Sequence, residues 1–326
     1  MDEYLDLLYI DDDNNAQKLQ GLTKILELCK NPQNLPNLSY NHALMSALSR
    51  IMYEDSKRSI ELAFHVCKIF YAFSNFNEML QLLSKYKVGA HALEIVNLCV
   101  RRNHHRYEKI ARRLWELDPT TNENRQKQFQ IKKSIPKQKW INVSKQDHIT
   151  FICLSLLINL AEDPNVEKKM VKNSLITHLT DSLDHKSKKC SSIIFRFLKK
   201  LSIYESNVNE MLHLHSVHQI IRVLCSTKDC NIIQTGLDVL FNISFSKIGR
   251  DQIMQSKSLP SFFTSHFRRR SLRSKILKLL YHLSIDSDTR AKLFRPKLME
   301  LIMKVIINTT SNSIEKVLAA VVINVS

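Results

Sequence analysis

A repeat of about 41 residues is the feature that most restricts what this chain can fold into. Four segments share one pattern: LLINLAEDPNVEKKM from Leu156, FLKKLSIYESNVNEML from Phe197, VLFNISFSKIGRDQIM from Val239 and LLYHLSIDSDTRAKLF from Leu279. The chain then closes on VVINVS. In each, a small residue follows the apolar run: Ala161, Ser202, Ser244, Ser284 and Ser326, at spacings of 41, 42, 40 and 42. A short polar or turn-forming link comes next (EDPN, IYESN, FSKIG, IDSDT), and then another helical pattern. The signature recurs upstream at Ser74 in YAFSNFNEMLQLL, and 45 residues earlier at Cys29 in LTKILELCKNPQNLPNL. Ser74 and Ala161 are 87 residues apart, which leaves room for one repeat and an insertion over roughly 101–145. That insertion reads as two helices, RYEKIARRLWEL and NENRQKQFQIKK, broken at Asp118-Pro119-Thr120 and closed by Pro136.

Within a unit, Ile193, Ile194, Phe197, Leu198 and Leu201 follow helical spacing, so a long third helix buries one face. One such unit cannot cover its own apolar face, whereas stacked neighbours bury a continuous core. A period of 40 to 47 residues built from helices alone marks armadillo or HEAT arrays. Glycine supports the same conclusion. Hairpin turns and phosphate-cradling loops need it, and the chain has four in 326 residues. The expected fold is all-α: an armadillo/HEAT-like right-handed superhelical solenoid with one lengthened repeat. It divides into N-terminal repeats over 1–100, a basic helical insertion over 101–148 and further repeats over 149–326, ending in a partial one.

The net charge of +17 favours acidic partners. Seven cysteines, an odd number without a C-x-x-C pair, sit inside apolar runs such as ELAFHVCKIF and FICLSLL as small hydrophobes, which fits a reducing compartment. MDEYLDLLYIDDDNN lacks the basic and apolar regions of a signal peptide, and no apolar run reaches the roughly 18 residues a bilayer requires. The chain has no P-loop, G-x-S-x-G, H-E-x-x-H or paired-cysteine motif, so it is read as non-catalytic, without cofactor or small-molecule substrate. His213, His215 and His218 in HLHSVH do not share a helix face, and no cysteine or carboxylate completes a metal site beside them.

Several segments together resemble one family. MDEYLDLLY, SRIMYEDSKRSIELAFHVCKIFYAFSNF, SKYKVGA, LLINLAED, FLKKLSIY and LYHLSID occur in this order, with the insertion in place. They resemble the armadillo region of the kinesin-associated proteins, the non-motor subunits of heterotrimeric kinesin-II, from Met1 to about Leu293. The resemblance implies an adaptor that binds the tails of the two motor subunits and links them to cargo along microtubules, including ciliary and intraflagellar cargo. It implies a cytoplasmic location on the microtubule cytoskeleton and at the cilium or axoneme. Against the family's usual length, the chain is expected to be shortened at both ends. The competing expectation is a generic armadillo interaction scaffold without motor binding; nucleic acid is the disfavoured partner class.

Armadillo proteins often bind extended peptides along their third helices, where a ladder of asparagines holds the peptide backbone. The matching positions are Asn159, Lys200, Asn242, His282 and Asn324. Nuclear-import receptors carry a tryptophan four residues earlier, where this chain has Ser155, Arg196, Asp238, Lys278 and Ala320. Capture of basic peptides in that style is therefore not expected. Arg196, Lys200, Lys278 and His282 point to a partly basic groove suited to an acidic or mixed-charge segment. FRRRSLRSK, Phe267 to Lys275, places Arg269, Arg270 and Arg273 at the start of a third helix, as one wall of that groove. The insertion carries 13 basic residues and both tryptophans, Trp115 and Trp140, as candidate partner contacts.

Overall fold

The structure, a computed structural model, describes residues 2–10, 15–115, 137–185, 187–294, 296–308 and 312–325. Among these, the side chains of 2–3, 103–104, 106–115, 137–144, 291, 308, 312–316 and 325 are outside the description. Every regular element of the described residues is helical, and the chain divides into two units, 1–175 and 176–326.

The first unit contains α1 (Asp2–Tyr9), α2 (Ala16–Leu28), α3 (Leu35–Ser39), α4 (His42–Tyr53), α5 (Ile60–Ser74), α6 (Asn77–Lys85), α7 (Val88–Trp115), α8 (Lys137–Leu160) and α9 (Pro164–Lys172). Helices α2, α5 and α8 are successive third helices: α2 packs on α5, and α5 on α8. Cys29, Ser74 and Ala161 stand at their C-terminal ends and are all buried. Helices α7 and α8 are long, at 28 and 24 residues, and pack against each other. Residues 101–115, the first part of the expected insertion, continue α7 without a break. NENRQKQFQIKK is outside the described residues, as are the side chains of Trp115 and Trp140.

The second unit is the more regular. It runs α10 (Leu175–Asp181, whose first residue closes the first unit), α11 (Lys188–Leu201), α12 (Glu205–His213), α13 (Ser216–Ser226) and α14 (Cys230–Ile243). It continues with α15 (Lys247–Met254), α16 (Leu259–His266), α17 (Arg270–Leu283), α18 (Ser287–Leu293), α19 (Pro296–Asn308) and α20 (Asn312–Val325). The third helices α11, α14, α17 and α20 pack on one another in that order. Their sequences explain the burial. In α11, Cys190, Ile193, Ile194, Phe197, Leu198 and Leu201 recur at three- and four-residue steps and are all buried. Ser191 and Phe195 are buried as well, and Ser191 donates to the carbonyls of His185 and Ser187 at 2.9 and 3.2 Å.

The links between helices rely on side-chain caps. Asp229 accepts from the backbone N–H of Asn231 at 2.9 Å at the start of α14, and Asp163 accepts from that of Asn165 at 2.8 Å ahead of Pro164 in α9. Left-handed turns between first and second helices fall at Lys87, Ser174 and His215 (φ 54°, 63° and 53°). None of these is a glycine, although glycine adopts that conformation most readily. The glycine at 249 serves a different need: a Cβ there would overlap the carbonyl oxygen of Ile243, so α15 approaches the end of α14 as closely as a bare backbone permits. Five cysteines (29, 67, 99, 153 and 190) are buried as their apolar surroundings imply, whereas Cys225 is exposed. Burial pushes the thiols of Cys29 and Cys99 up, to about 12 and about 11, so they stay protonated and act as packing groups.

Candidate functional site: the third-helix ladder

The ladder positions and the small residues 38 to 40 positions before them in the second unit form one hydrogen-bonded system. Asn242 Nδ2 donates to Ser202 Oγ at 2.9 Å, and Asn324 Nδ2 donates to Ser284 Oγ at 2.9 Å. His282 Nδ1 lies 2.9 Å from Ser244 Oγ. Each serine hydroxyl also donates to the carbonyl three residues back in its own helix: Ser202 to Lys199, Ser244 to Phe241 and Ser284 to Tyr281, at 2.9, 2.6 and 2.7 Å. A serine here therefore does more than permit close packing. At Ser202 and Ser284 it closes its own helix and accepts from the next repeat with the same oxygen, so the buried hydroxyl is used as both donor and acceptor.

The first unit repeats the arrangement once, where Asn159 Nδ2 reaches Ser74 Oγ at 3.0 Å and Asn75 Oδ1 at 3.3 Å. Among the described residues, the side-chain oxygens of Asn242 and Asn324 accept no hydrogen bond. Each ladder asparagine thus commits its amino group to the repeat junction and leaves an acceptor facing outward.

The charged positions separate into two groups. Arg196 and Lys278 are exposed and Lys200 is half-buried, all on third helices. Asp238, at the position where import receptors carry tryptophan, is held between two repeats: Lys199 Nζ lies 2.8 Å from one carboxylate oxygen, and Lys275 Nζ contacts the other. Arg250 forms a two-pronged contact with Asp286, at 2.6 and 3.3 Å, and also donates to the carbonyl of Ser244 at 3.0 Å. Those hydrogen bonds hold the Asp286 carboxyl below the ordinary range. Burial first, and then the Arg250 charge, lowers the His282 imidazole, whose ring lies tilted 4.6 Å from Phe241 and edge-on 4.5 Å from Phe245.

The basic run adopts a specific local arrangement. Phe267 is buried and anchors it, while Arg268, Arg269 and Arg270 are exposed. Arg273 folds back: its Nε donates to the Phe267 carbonyl at 3.2 Å and its guanidinium lies 5.9 Å over the Phe267 ring. Arg269 is the N-cap of α17 without a side-chain cap bond, and Lys275 is spent on Asp238. Of the five basic residues, three therefore remain for a partner. His215 owes its place in HLHSVH to the left-handed turn between α12 and α13.

Two features were missed from sequence. One is the acceptor role of the serines. The other is the residue directly after each small residue: Ile203, Phe245 and Ile285, all exposed. No helix of the described residues is long and apolar enough to cross a membrane.

The arrangement matches known folds. A structure solved for a phosphorylation switch that controls the interaction between cadherin and beta-catenin aligns with a TM-score of 0.66 at 11% identity, over 99% of this chain and 52% of that one. A designed armadillo repeat protein aligns with a TM-score of 0.54 at 9% identity, over 94% of this chain and 100% of that one. An engineered protein aligns at 0.57 and 10% identity, over 86% and 96%. At such identities the likeness shows the fold alone, an all-α armadillo solenoid, which is typically non-catalytic. The sequence model of kinesin-associated protein (KAP) matches residues 1–326, and the chain belongs to that family.

Proposed function

We propose that this armadillo scaffold is a non-catalytic adaptor of the kinesin-II motor complex. It binds the tail regions of the two motor subunits and links them to cargo for movement along microtubules, in the cytoplasm and at the cilium. The match to the kinesin-associated family over the whole chain carries this reading. The ladder supports it: a peptide laid along the third helices meets the outward oxygens of Asn242 and Asn324, with Arg196, Lys200 and Lys278 nearby for acidic residues. Asn159 offers the same chemistry in the first unit, and His282 occupies the corresponding rung. Arg269 and Arg270 add positive charge at the start of α17, while Arg273 positions the run through Phe267. Trp115 and Trp140 remain candidate contacts of the lengthened repeat.

Purified chain tested against each motor tail, by co-precipitation and fluorescence anisotropy, decides the matter. Binding is expected, weakened at least tenfold by Arg196→Glu with Lys278→Glu. Absence of binding to either tail, under conditions where another kinesin-associated protein binds, sinks the motor reading.

A further inference from the structure

We infer that the exposed apolar row along the C-terminal ends of the third helices in residues 176–326 docks an amphipathic α-helix of a partner, flanked by acidic residues. The row begins one position after each small residue. Ile203, Phe245 and Ile285 follow Ser202, Ser244 and Ser284 and are 71%, 67% and 51% exposed. Tyr204, Ile248, Tyr281 and Ile323 extend it and are exposed as well. The position is solvent-facing because the chain leaves the third helix there, and the first unit fills it with polar residues, Asn75 and Glu162, both exposed. Fold alone therefore does not call for an apolar residue at this place. Three in succession, each a large side chain standing in water, form a contiguous apolar surface of the kind that marks an interaction site.

The junctions fix the row in space. Ser244 meets His282 of the following repeat at 2.9 Å, and Phe245 packs on the same ring at 4.5 Å, so the Phe245 rung touches the next third helix. Phe245 is also braced edge-on by Phe241 at 5.3 Å. Adjacent packed helices lie about 8–10 Å apart, which sets the step between rungs.

That step selects the occupant. A β-strand presents every second residue to one face, about 6.7 Å apart, and its third residue points away. An α-helix advances about 10.5 Å in seven residues and returns to nearly the same face. A helix also satisfies its own backbone, and a row of isoleucine and phenylalanine side chains offers a peptide backbone no hydrogen-bonding partners. The asparagine rungs, which do offer them, lie to one side. Charge sets the flank. Beside the row, the third helices α11 and α17 carry Arg196, Lys199, Lys275 and Lys278, and the acid of α14, Asp238, is already held by two lysines. Residues 176–326 hold 23 of the chain's 48 basic residues but only 11 of its 31 acidic ones. Acidic residues on the side of the partner helix facing the third helices complete the match.

The inference does not depend on the motor reading, and its test uses no motor segment. The probe is a labelled helical peptide of about three heptads, with leucine at every seventh position and adjacent core sites and glutamate along one flank. Comparison peptides carry lysine in place of glutamate, or prolines that prevent a helix at matched apolar content. Fluorescence anisotropy with the 326-residue chain is expected to show binding of the glutamate peptide. Affinity should fall at least tenfold for the lysine peptide, for the proline peptide, and for the triple variant Ile203→Ser, Phe245→Ser, Ile285→Ser. That variant should keep the parent circular dichroism, since all three side chains are more than half exposed, with a small fall in melting temperature from the lost ring contacts of Phe245. Unchanged affinity in the variant overturns the proposal, as does equal binding of the proline peptide. Sedimentation showing a dimer that the variant returns to monomer also overturns it, and assigns the row to a second copy of the chain.

Discussion

At the scale of single residues, the repeat junction is a hydrogen-bond relay, and its worth is measurable. A double-mutant cycle on Ser202→Ala and Asn242→Ala is expected to give a coupling of about 1 kcal/mol in urea denaturation, because each change alone strands a polar partner. Gly249→Ala is the sharper case. Its methyl group has to displace the backbone at Ile243, so the substitution is expected to cost about 1–3 kcal/mol. The reverse substitution at a left-handed turn, Ser174→Gly, relieves strain at φ 63° and should raise the urea midpoint, a gain of about 0.5 kcal/mol after the added entropy of the unfolded chain. Glycine scarcity was legible as a sign of helical structure. It did not reveal that lysine, serine and histidine would take the left-handed positions in glycine's place.

At the scale of the element, α17 is the helix whose start works against it. Helix N-termini attract negative charge, yet Arg269 occupies the N-cap and Arg270 begins the helix, with no acid in the first turn. Arg269→Asp supplies both a cap and a favourable charge and should raise the melting temperature, with a gain of about 1 kcal/mol. A stability gain accompanied by weaker binding of an acidic partner identifies these arginines as functional residues. Third-helix burial was readable from periodicity because Ile193, Phe197 and Leu201 sit on one face. The burial of their neighbours Ser191 and Phe195 was not, since it depends on what surrounds the helix rather than on the helix's own apolar face. The fold-back of Arg273 onto Phe267 was hidden for a similar reason: a charge run in sequence does not tell which of its members its own backbone will occupy.

At the scale of the whole molecule, charge and pH act together. The imidazoles of His91 and His282 are lowered chiefly by burial, so protonation costs more in the folded chain than in the unfolded one. Their contribution is complete above the ordinary imidazole value of about 6.5 and is lost as pH falls through it. Asp286, Glu61 and Glu300 are lowered by hydrogen bonds from Arg250, Lys145 and Lys304, so their contribution is present above the ordinary carboxylate range and lost as pH falls through the depressed values. Both effects have the same sign. Melting temperature is expected to decline in two stages on acidification, first below about pH 6.5 and again below about pH 4, with the second stage reduced by salt. A flat profile from pH 7 to 5 contradicts the histidine assignment, and His282→Asn should remove part of the first stage.

Sequence by itself determined the helical repeat, the position of each third helix and the family, because a 41-residue register of apolar faces survives without knowledge of what packs on what. It also named the ladder asparagines. Tertiary structure alone decided how those asparagines are used, since their partners lie in another repeat, 40 residues away in the chain for Asn242 and Asn324 and 85 for Asn159, yet within 3.0 Å in space. The exposed row of Ile203, Phe245 and Ile285 was likewise invisible before folding. An isoleucine after a helix looks like core in a sequence, and only the neighbours that fail to cover it show that it faces water.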